Sequence, residues 1–253
     1  MRRYSELFTR QTKLLKLDSS FDEAFESFEA ATDEIIQKFN NNLELYSIKD
    51  KELDEKISEN YLQYKSYETP EQKDLIDEFI YYESETFSTN LYLKSLMEMK
   101  IVYLFKTMEI IIKHFIKIAY PEITNRALYK WEDIKTFFKS RGIDISLLNG
   151  YSECIEIKKV NNSIKHNGII NEEMKCIPEF KGEEYIDYNH LERFYDRIKQ
   201  YIKTFCVELR EKIKDDLYIF NEDRLNQLTN EFYERMDDET IKIFTDKLRG
   251  KIH

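Results

Sequence analysis

The residues with the clearest capacity for chemistry lie in one short stretch, residues 157–168, which reads IKKVNNSIKHNG. The stretch gathers an imidazole, neighbouring amides and three lysines. At about 100° per residue, Lys159, Asn162 and His166 share one face of a helix. An imidazole can move a proton near neutral pH, and a few ammonium groups placed together can hold a phosphate. This stretch is therefore the candidate functional site.

The same stretch carries the signals of a helix that ends just after its histidine. Ile157, Val160 and Ile164 fall elsewhere on the helix, where they can pack inward. Asn167 and Gly168 tolerate the left-handed backbone conformation that closes a helix. The pattern predicts a helix over residues 152–167, with an apolar stripe and a polar face that ends in an imidazole.

This arrangement resembles the HEPN superfamily, all-helical domains whose ribonuclease members carry an arginine, a polar residue, a few further residues and then a histidine. Asn162 corresponds to the polar residue and His166 to the histidine. Asn161 stands at the position of the arginine, and Lys159, with six residues between it and His166, is the nearest cation in register. The resemblance covers residues 91–213. It implies a HEPN-like core and a metal-independent endoribonuclease of toxin or phage-defence systems.

Under that interpretation, RNA is cleaved through its own 2′-hydroxyl group, with His166 as general acid or base. Lys159 supplies the charge that opposes the developing phosphorane, less well than arginine because an ammonium cannot hold two oxygens in a fixed fork. The predicted catalytic residues are His166, Lys159 and Asn162, and the predicted substrate-binding residues are Asn161, Lys158 and Lys165. No metal or cofactor is expected, and restoring arginine at position 161 is expected to keep or raise activity.

A second interpretation of the same residues needs no catalysis. A histidine at a helix C-terminus lies where the partial negative charge of the helix favours a cation, so His166 can simply close the helix. The domain would then be a degenerate HEPN-like module that binds RNA, a nucleotide or a partner protein without cutting. Both interpretations remain open from the sequence.

Composition limits the wider function of the chain. Its 253 residues carry a net charge of −10, which argues against a generally basic nucleic-acid surface but leaves room for a local basic site. Three widely spaced cysteines, Cys154, Cys176 and Cys206, suit reduced thiols and show no zinc spacing. Residues 101–119 are apolar but interrupted by charges, which indicates a buried helix rather than a membrane span. We expect a cytoplasmic protein with no membrane association.

Glycine and proline are scarce, at five and three residues, and the first glycine is Gly142. A chain without glycine over that length is difficult to reconcile with a sheet joined by tight turns, so an all-α helical bundle with long central helices is predicted. Its core is expected to pair helices at residues 91–119, 152–167 and 190–217. Three regions are expected within one continuous globular unit: an N-terminal helical region (1–90), a HEPN-like core (91–217) and C-terminal helices (218–253).

Further boundaries come from local signals. A threonine cap followed by proline predicts a helix start at Thr69, and residues 131–140 are predicted to form a short helix that stops at Gly142. Capping boxes are predicted at residues 20–23 and 189–192, and the run of asparagines at residues 40–42 predicts a helix end or a bend. The region from residue 88 to 90 leaves open whether one long helix or two follow Thr69.

The expected partners follow from the resemblance and from the charge of the chain. HEPN ribonucleases build their sites from two protomers, and an isologous contact would double the cations along one phosphate path. We expect a homodimer with the two His166 helices near the two-fold axis, RNA as ligand, and an antitoxin or a defence-system protein as partner.

Overall fold

The computed structural model describes residues 11–19, 21–64, 69–121, 123, 130–166 and 168–252, with side chains described throughout except at 60–64 and 251–252. These ranges contain seven bounded α-helices: α1 (Asp22–Tyr64), α2 (Pro70–Ala119), α3 (Trp131–Ser140), α4 (Tyr151–His166), α5 (Tyr188–Tyr218), α6 (Glu222–Arg235) and α7 (Asp238–Ile252). Residues 11–18 are also helical. The described ranges hold no β-strand, only an isolated antiparallel bridge between Ile169 and Tyr185. The prediction of an all-α helical bundle is confirmed.

The two longest helices run without interruption. α1 extends over 43 residues, so the helix end or bend predicted at residues 40–42 is wrong. Asparagine costs only a fraction of a kcal/mol per position inside a helix, about 0.7 at most, and burial of one helix face outweighs that cost. Phe25, Ile36 and Leu53 are buried along α1 on both sides of the asparagines. α2 extends over 50 residues, which decides between the two alternatives in favour of one helix.

Two predicted helix starts can be compared with the structure. At Thr69 the capping box is present, because the Gln72 amide donates to Thr69 Oγ1 at 3.3 Å and the Thr69 amide donates to Gln72 Oε1 at 3.1 Å. The box predicted at residues 189–192 is wrong. Asp187 caps α5 instead, its Oδ1 accepting from the His190 amide at 2.8 Å. The box predicted at residues 20–23 begins at Ser20, which lies outside the described residues.

The described residues form two compact units, and the division falls within α2 and α5. The central unit comprises Phe21–Ile110 and Asn149–Phe205. The terminal unit comprises the described parts of Met1–Ser20, Ile111–Leu148 and Cys206–His253. The regions 1–90, 91–217 and 218–253 stay a prediction.

In the central unit, apolar stripes of α2, α4 and α5 supply the buried core. The fully buried members include Leu93, Met97, Ile101, Cys154, Ile157, Val160, Leu191, Phe194, Ile198, Ile202 and Phe205. Contacts between helices accompany this burial: the Lys100 ammonium lies 4.4 Å from the centroid of the Tyr195 ring, and the Tyr151 and Phe205 ring centroids are 6.4 Å apart. The buried Lys100 also pairs with Asp33 on α1 at 2.5 Å. These three helices therefore carry the candidate site on a packed support.

In the terminal unit, the end of α2, α3 and the end of α5 supply the buried side chains. Phe115, Phe138 and Leu209 are among the most buried of them. The Tyr120 hydroxyl donates to Asp216 Oδ2 at 2.8 Å, which fixes the chain just after α2. In the described ranges, no helix combines the length and the apolar composition needed to cross a membrane.

A substitution at Gly150 tests the close contact between the start of α4 and the backbone of α5. The φ of Gly150 is +84°, and an added Cβ would lie 2.1 Å from the Tyr201 carbonyl oxygen. We expect Gly150→Ala to lower the free energy of unfolding by more than about 3 kcal/mol, because backbone must move in addition to the strain of a positive φ. Gly182→Ala is the matched control, since φ is +83° there and nothing lies within 4 Å. It should cost only about 1–2 kcal/mol. Equal losses in urea unfolding would contradict the close contact.

Candidate functional site

The helix that carries the candidate residues is α4, and local backbone signals set both of its ends. It begins after Gly150, whose carbonyl accepts from the Cys154 amide at 2.9 Å. It ends at His166, followed by Gly168 with a φ of +62°. The Gly168 amide donates to the Ser163 carbonyl at 2.8 Å, so one of the last carbonyls of the helix is satisfied. The predicted helix is confirmed within one residue at each end.

Packing divides α4 into two faces. Cys154, Ile157, Val160, Asn161 and Ser163 are buried. The remaining candidate residues, Lys158, Lys159, Asn162, Lys165 and His166, are half-buried or exposed. At 3.6 residues per turn, these five fall within an arc of about 120°, which we call the open face of α4. The structure thus brings five of the six predicted site residues together.

The open face is long rather than compact. Lys159 and His166 are seven residues apart, which corresponds to about 10.5 Å along the helix axis, and Asn162 lies between them. In a single copy, the Lys159 ammonium and the His166 imidazole therefore face different parts of a ligand. This spacing suits a chain of phosphates better than one small anion.

The lysines of the open face have no described acidic partner, unlike several other cations of the central unit. Among the described residues, no carboxylate forms an ion pair with Lys158, Lys159 or Lys165. The Lys165 ammonium lies 6.0 Å from the centroid of the Phe105 ring. In contrast, Lys199 pairs with Glu29 at 3.0 Å. In a chain with a net charge of −10, unpaired cations on one face leave a local site for an external anion.

Arg197 on α5 supports α4 from behind this face. Its guanidinium donates to Glu156 Oε2 on α4 at 2.6 Å and to both carboxylate oxygens of Glu179 at 2.6 and 3.0 Å. Hydrogen bonds with Glu179, and then with Glu156, raise the pKa of Arg197 above its ordinary value. Burial pushes the pKa of Glu179 upward, but the hydrogen bonds and charge of Arg197, a backbone hydrogen bond and the charge of Arg193 together lower it. One guanidinium offsets one of these two negative charges and holds both carboxylates, neither of which pairs with a described lysine of α4.

The segment after α4 is tied to the helix and packed. Ser163 Oγ donates to the Ile169 carbonyl at 2.5 Å, and two 3-10 turns follow at Met174–Cys176 and Pro178–Phe180. Met174 and Phe180 are buried. The segment is therefore part of the support of α4.

Two further histidines lie in different environments. His114, on α2, is exposed. His190, on α5, is buried, with Nδ1 3.0 Å from Asp187 Oδ1 and Nε2 3.5 Å from Glu183 Oε1. These contacts fasten the start of α5 to the preceding segment, and no spacing in the sequence reveals them. No group of three His, Cys, Asp or Glu side chains in the described ranges is arranged to hold a metal ion.

Asn161 is the candidate residue that the structure separates from the others. Its side chain is 1% exposed, and its Nδ2 donates to Asn162 Oδ1 at 3.4 Å. Its own Oδ1 has no hydrogen-bond partner among the described residues. In this conformation its amide does not reach the open face, so Lys159 is the cation nearest the family's arginine position that a ligand can contact.

Neighbouring asparagines give a matched test of this division. Asn161→Arg should lower the free energy of unfolding by about 3–5 kcal/mol, because it buries a charge without a partner. Asn162→Arg should change it by less than about 0.5 kcal/mol, because Asn162 is exposed. Chemical denaturation of both variants checks the expectation. A stable Asn161→Arg protein would show that this position can open toward solvent.

Comparison with known proteins leaves the family of this chain undecided. No family model matches it, and no curated protein or solved structure is significantly similar to it. The resemblance of residues 91–213 to the HEPN superfamily stays a prediction.

Proposed function

We propose that this chain is a HEPN-like, metal-independent endoribonuclease that binds RNA on the open face of α4. The observation that supports the proposal is the presence of accessible Lys159, Asn162 and His166 on one face, with no acid paired to the lysine. RNA combines a phosphate chain, which the lysines can bind, with a hydroxyl group that can attack its own phosphate. The resemblance adds the biological setting, a toxin or phage-defence system with an antitoxin or defence partner.

Binding comes from charge first. Lys158, Lys159 and Lys165 contact successive phosphates, and each contact releases counterions, so affinity falls as salt rises. Asn162 lies between Lys159 and His166 and offers an amide for a phosphate or base oxygen. The negative total charge of the chain restricts RNA to this face, because the surrounding surface repels it.

Cleavage then needs the movement of two protons. The RNA 2′-oxygen attacks the adjacent phosphorus as its proton passes to a base, and the bond from phosphorus to the 5′-oxygen breaks as that oxygen receives a proton from an acid. His166 serves as one of these groups. Lys159 opposes the negative charge that develops on the phosphorane oxygens. The products are a 2′,3′-cyclic phosphate and a free 5′-hydroxyl group.

One chain has one imidazole on the open face, whereas cleavage needs both a proton acceptor and a proton donor. The proposal therefore includes a second copy. With two α4 helices near a two-fold axis, His166 of one copy can carry out one of the two proton transfers at a site whose lysine comes from the other copy. The spacing of about 10.5 Å between Lys159 and His166 within a chain also favours a site that takes its lysine from one copy and its histidine from the other.

A non-catalytic RNA-binding module is the second candidate function, and one observation favours it. The position of the family's arginine holds Asn161, which is buried and neutral, and α4 contains no arginine. Without a fork of donors on the phosphate, binding can persist while cleavage is lost. The cleavage assay below separates the two.

The first functional prediction concerns His166 and Lys159. His166→Ala should abolish cleavage of total cellular RNA, and Lys159→Ala should slow it by about a hundredfold. Controls are His114→Ala and Lys181→Ala, which remove an exposed histidine and an exposed lysine elsewhere. Both should cleave like the wild type, and EDTA should not inhibit, since the attacking group is the RNA hydroxyl. Full cleavage by His166→Ala would reject the nuclease, and salt-dependent binding without cleavage by the wild type would establish the second candidate.

A complementation experiment tests the shared site. His166→Ala and Lys159→Ala proteins are mixed after subunit exchange. If each site combines a lysine and a histidine from different copies, the mixed dimer has one intact site, and about a quarter of wild-type activity should return. Sites built within one copy would remain inactive in every combination. Continued inactivity after proven exchange would therefore reject the composite site.

A further inference from the structure

The last two helices, α6 and α7, form a hairpin whose apolar side is not covered by the described chain. A connection of two residues, Met236 and Asp237, joins them, and the Phe232 and Phe244 ring centroids are 5.0 Å apart. Both helices carry the same pattern at i, i+3, i+4 and i+7. Its members are Leu225, Leu228, Thr229 and Phe232 on α6, and Ile241, Phe244, Thr245 and Leu248 on α7. Together with Tyr233 and Met236, they line a cleft of about 450 Å³.

None of the described side chains of α6 and α7 is buried. Leu225, Phe232 and Leu248 keep 47%, 41% and 47% of their surface exposed. Helices of 14 and 15 residues are marginal by themselves, and most of their stability in proteins comes from packing of an apolar face. A continuous apolar face on a short hairpin therefore indicates a surface that another helical element covers.

The start of the hairpin is held in place, so this face belongs to a defined element. Arg224 donates to the carbonyl of Asp215 at 2.6 Å and to that of Ile219 at 3.1 Å, which satisfies carbonyls at the end of α5. Its guanidinium also lies 4.8 Å from the Phe220 ring centroid. Asp237 caps α7, its Oδ1 accepting from the Thr240 amide at 2.7 Å.

We infer that the α6–α7 hairpin is a self-association surface, and that it pairs with the same hairpin of a second copy to form an antiparallel four-helix bundle. The charges of α7 identify this partner. Its beginning carries Asp237, Asp238 and Glu239, and its end carries Lys247, Arg249 and Lys251. In an antiparallel pair related by a two-fold axis, the acidic end of each α7 lies beside the basic end of the other. The surface is thus complementary to itself in charge as well as apolar along its middle.

The i, i+3, i+4 and i+7 spacing fits the same arrangement. It places one narrow apolar stripe on each helix, as helices of four-helix bundles require. Two hairpins bring four such stripes together, and the Phe232 and Phe244 rings already contact each other within each hairpin. This contact is independent of the α4 pairing proposed above, because it uses other residues and other charges.

Two leucine-sized side chains of α7 provide a matched test in the full-length protein. Leu248 belongs to the stripe, whereas Ile243 lies on the opposite side of α7, and they are 47% and 50% exposed. Leu248→Glu should lower the molar mass measured by sedimentation equilibrium at tens of micromolar, because the hairpin contact is lost. Ile243→Glu introduces the same charge and should leave the mass unchanged. Circular dichroism confirms that both variants keep their helices.

Charge reversal tests the antiparallel direction without touching the stripe. Asp238→Lys with Glu239→Lys should weaken association at least tenfold, and the further changes Lys247→Glu with Arg249→Glu should restore it. A parallel pair would not respond in this way, because like ends face each other before and after the first reversal. A wild-type mass that Leu248→Glu does not change overturns the inference and leaves the face to a different protein or to a vesicle surface. His166-dependent RNA cleavage is measured on the same variants, so that loss of the hairpin contact and loss of the proposed function are told apart.

Discussion

The placement of α4 depends on one guanidinium. Arg197 binds carboxylates from α4 and from the 3-10 turn before α5, so three segments that are distant in the chain meet at one charged group. Arginine suits this position because its planar fork binds two carboxylates at once, which an ammonium cannot do. Without it, Glu156 and Glu179 would place two negative charges beside the helix proposed to bind RNA. The same contact thus stabilises the fold and adjusts the charge of the site.

The central unit contains cations that are paired with carboxylates and others that have no described acidic partner. Lys100 and Lys199 are engaged with Asp33 and Glu29, whereas the lysines of α4 have no described acidic partner. Partly buried pairs are bound in place and contribute little to long-range attraction, while unpaired cations act on a ligand directly. An acidic protein can therefore present a local anion site without a basic surface. Such a site selects ligands with closely spaced phosphates over isolated anions.

Catalysis makes a stricter demand than binding. A phosphate transfer through the 2′-hydroxyl group needs a proton acceptor, a proton donor and a compensating charge around one phosphorus. Each copy has one imidazole on the open face, and the buried Asn161 cannot supply charge there. The number of histidines that meet at one phosphate is thus a question of assembly rather than of local sequence. Self-association through the α6–α7 hairpin would change the number of chains in the assembly, but it uses none of the residues of the open face.

The sequence by itself determined features set by the local backbone. The all-α class, the Thr69 cap, the ends of α3 and the stop of α4 at Gly168 all depend on residues within a few positions of each other, whose conformational preferences act before any tertiary contact forms. Tertiary structure alone decided what becomes buried. It extended α1 through three asparagines, enclosed His190 and turned Asn161 inward beside an exposed Asn162. Helical spacing alone does not show which of Asn161 and Asn162 is buried, because both lie near the boundary of the open face. The packing of α4 against α2 and α5 sets where that boundary lies.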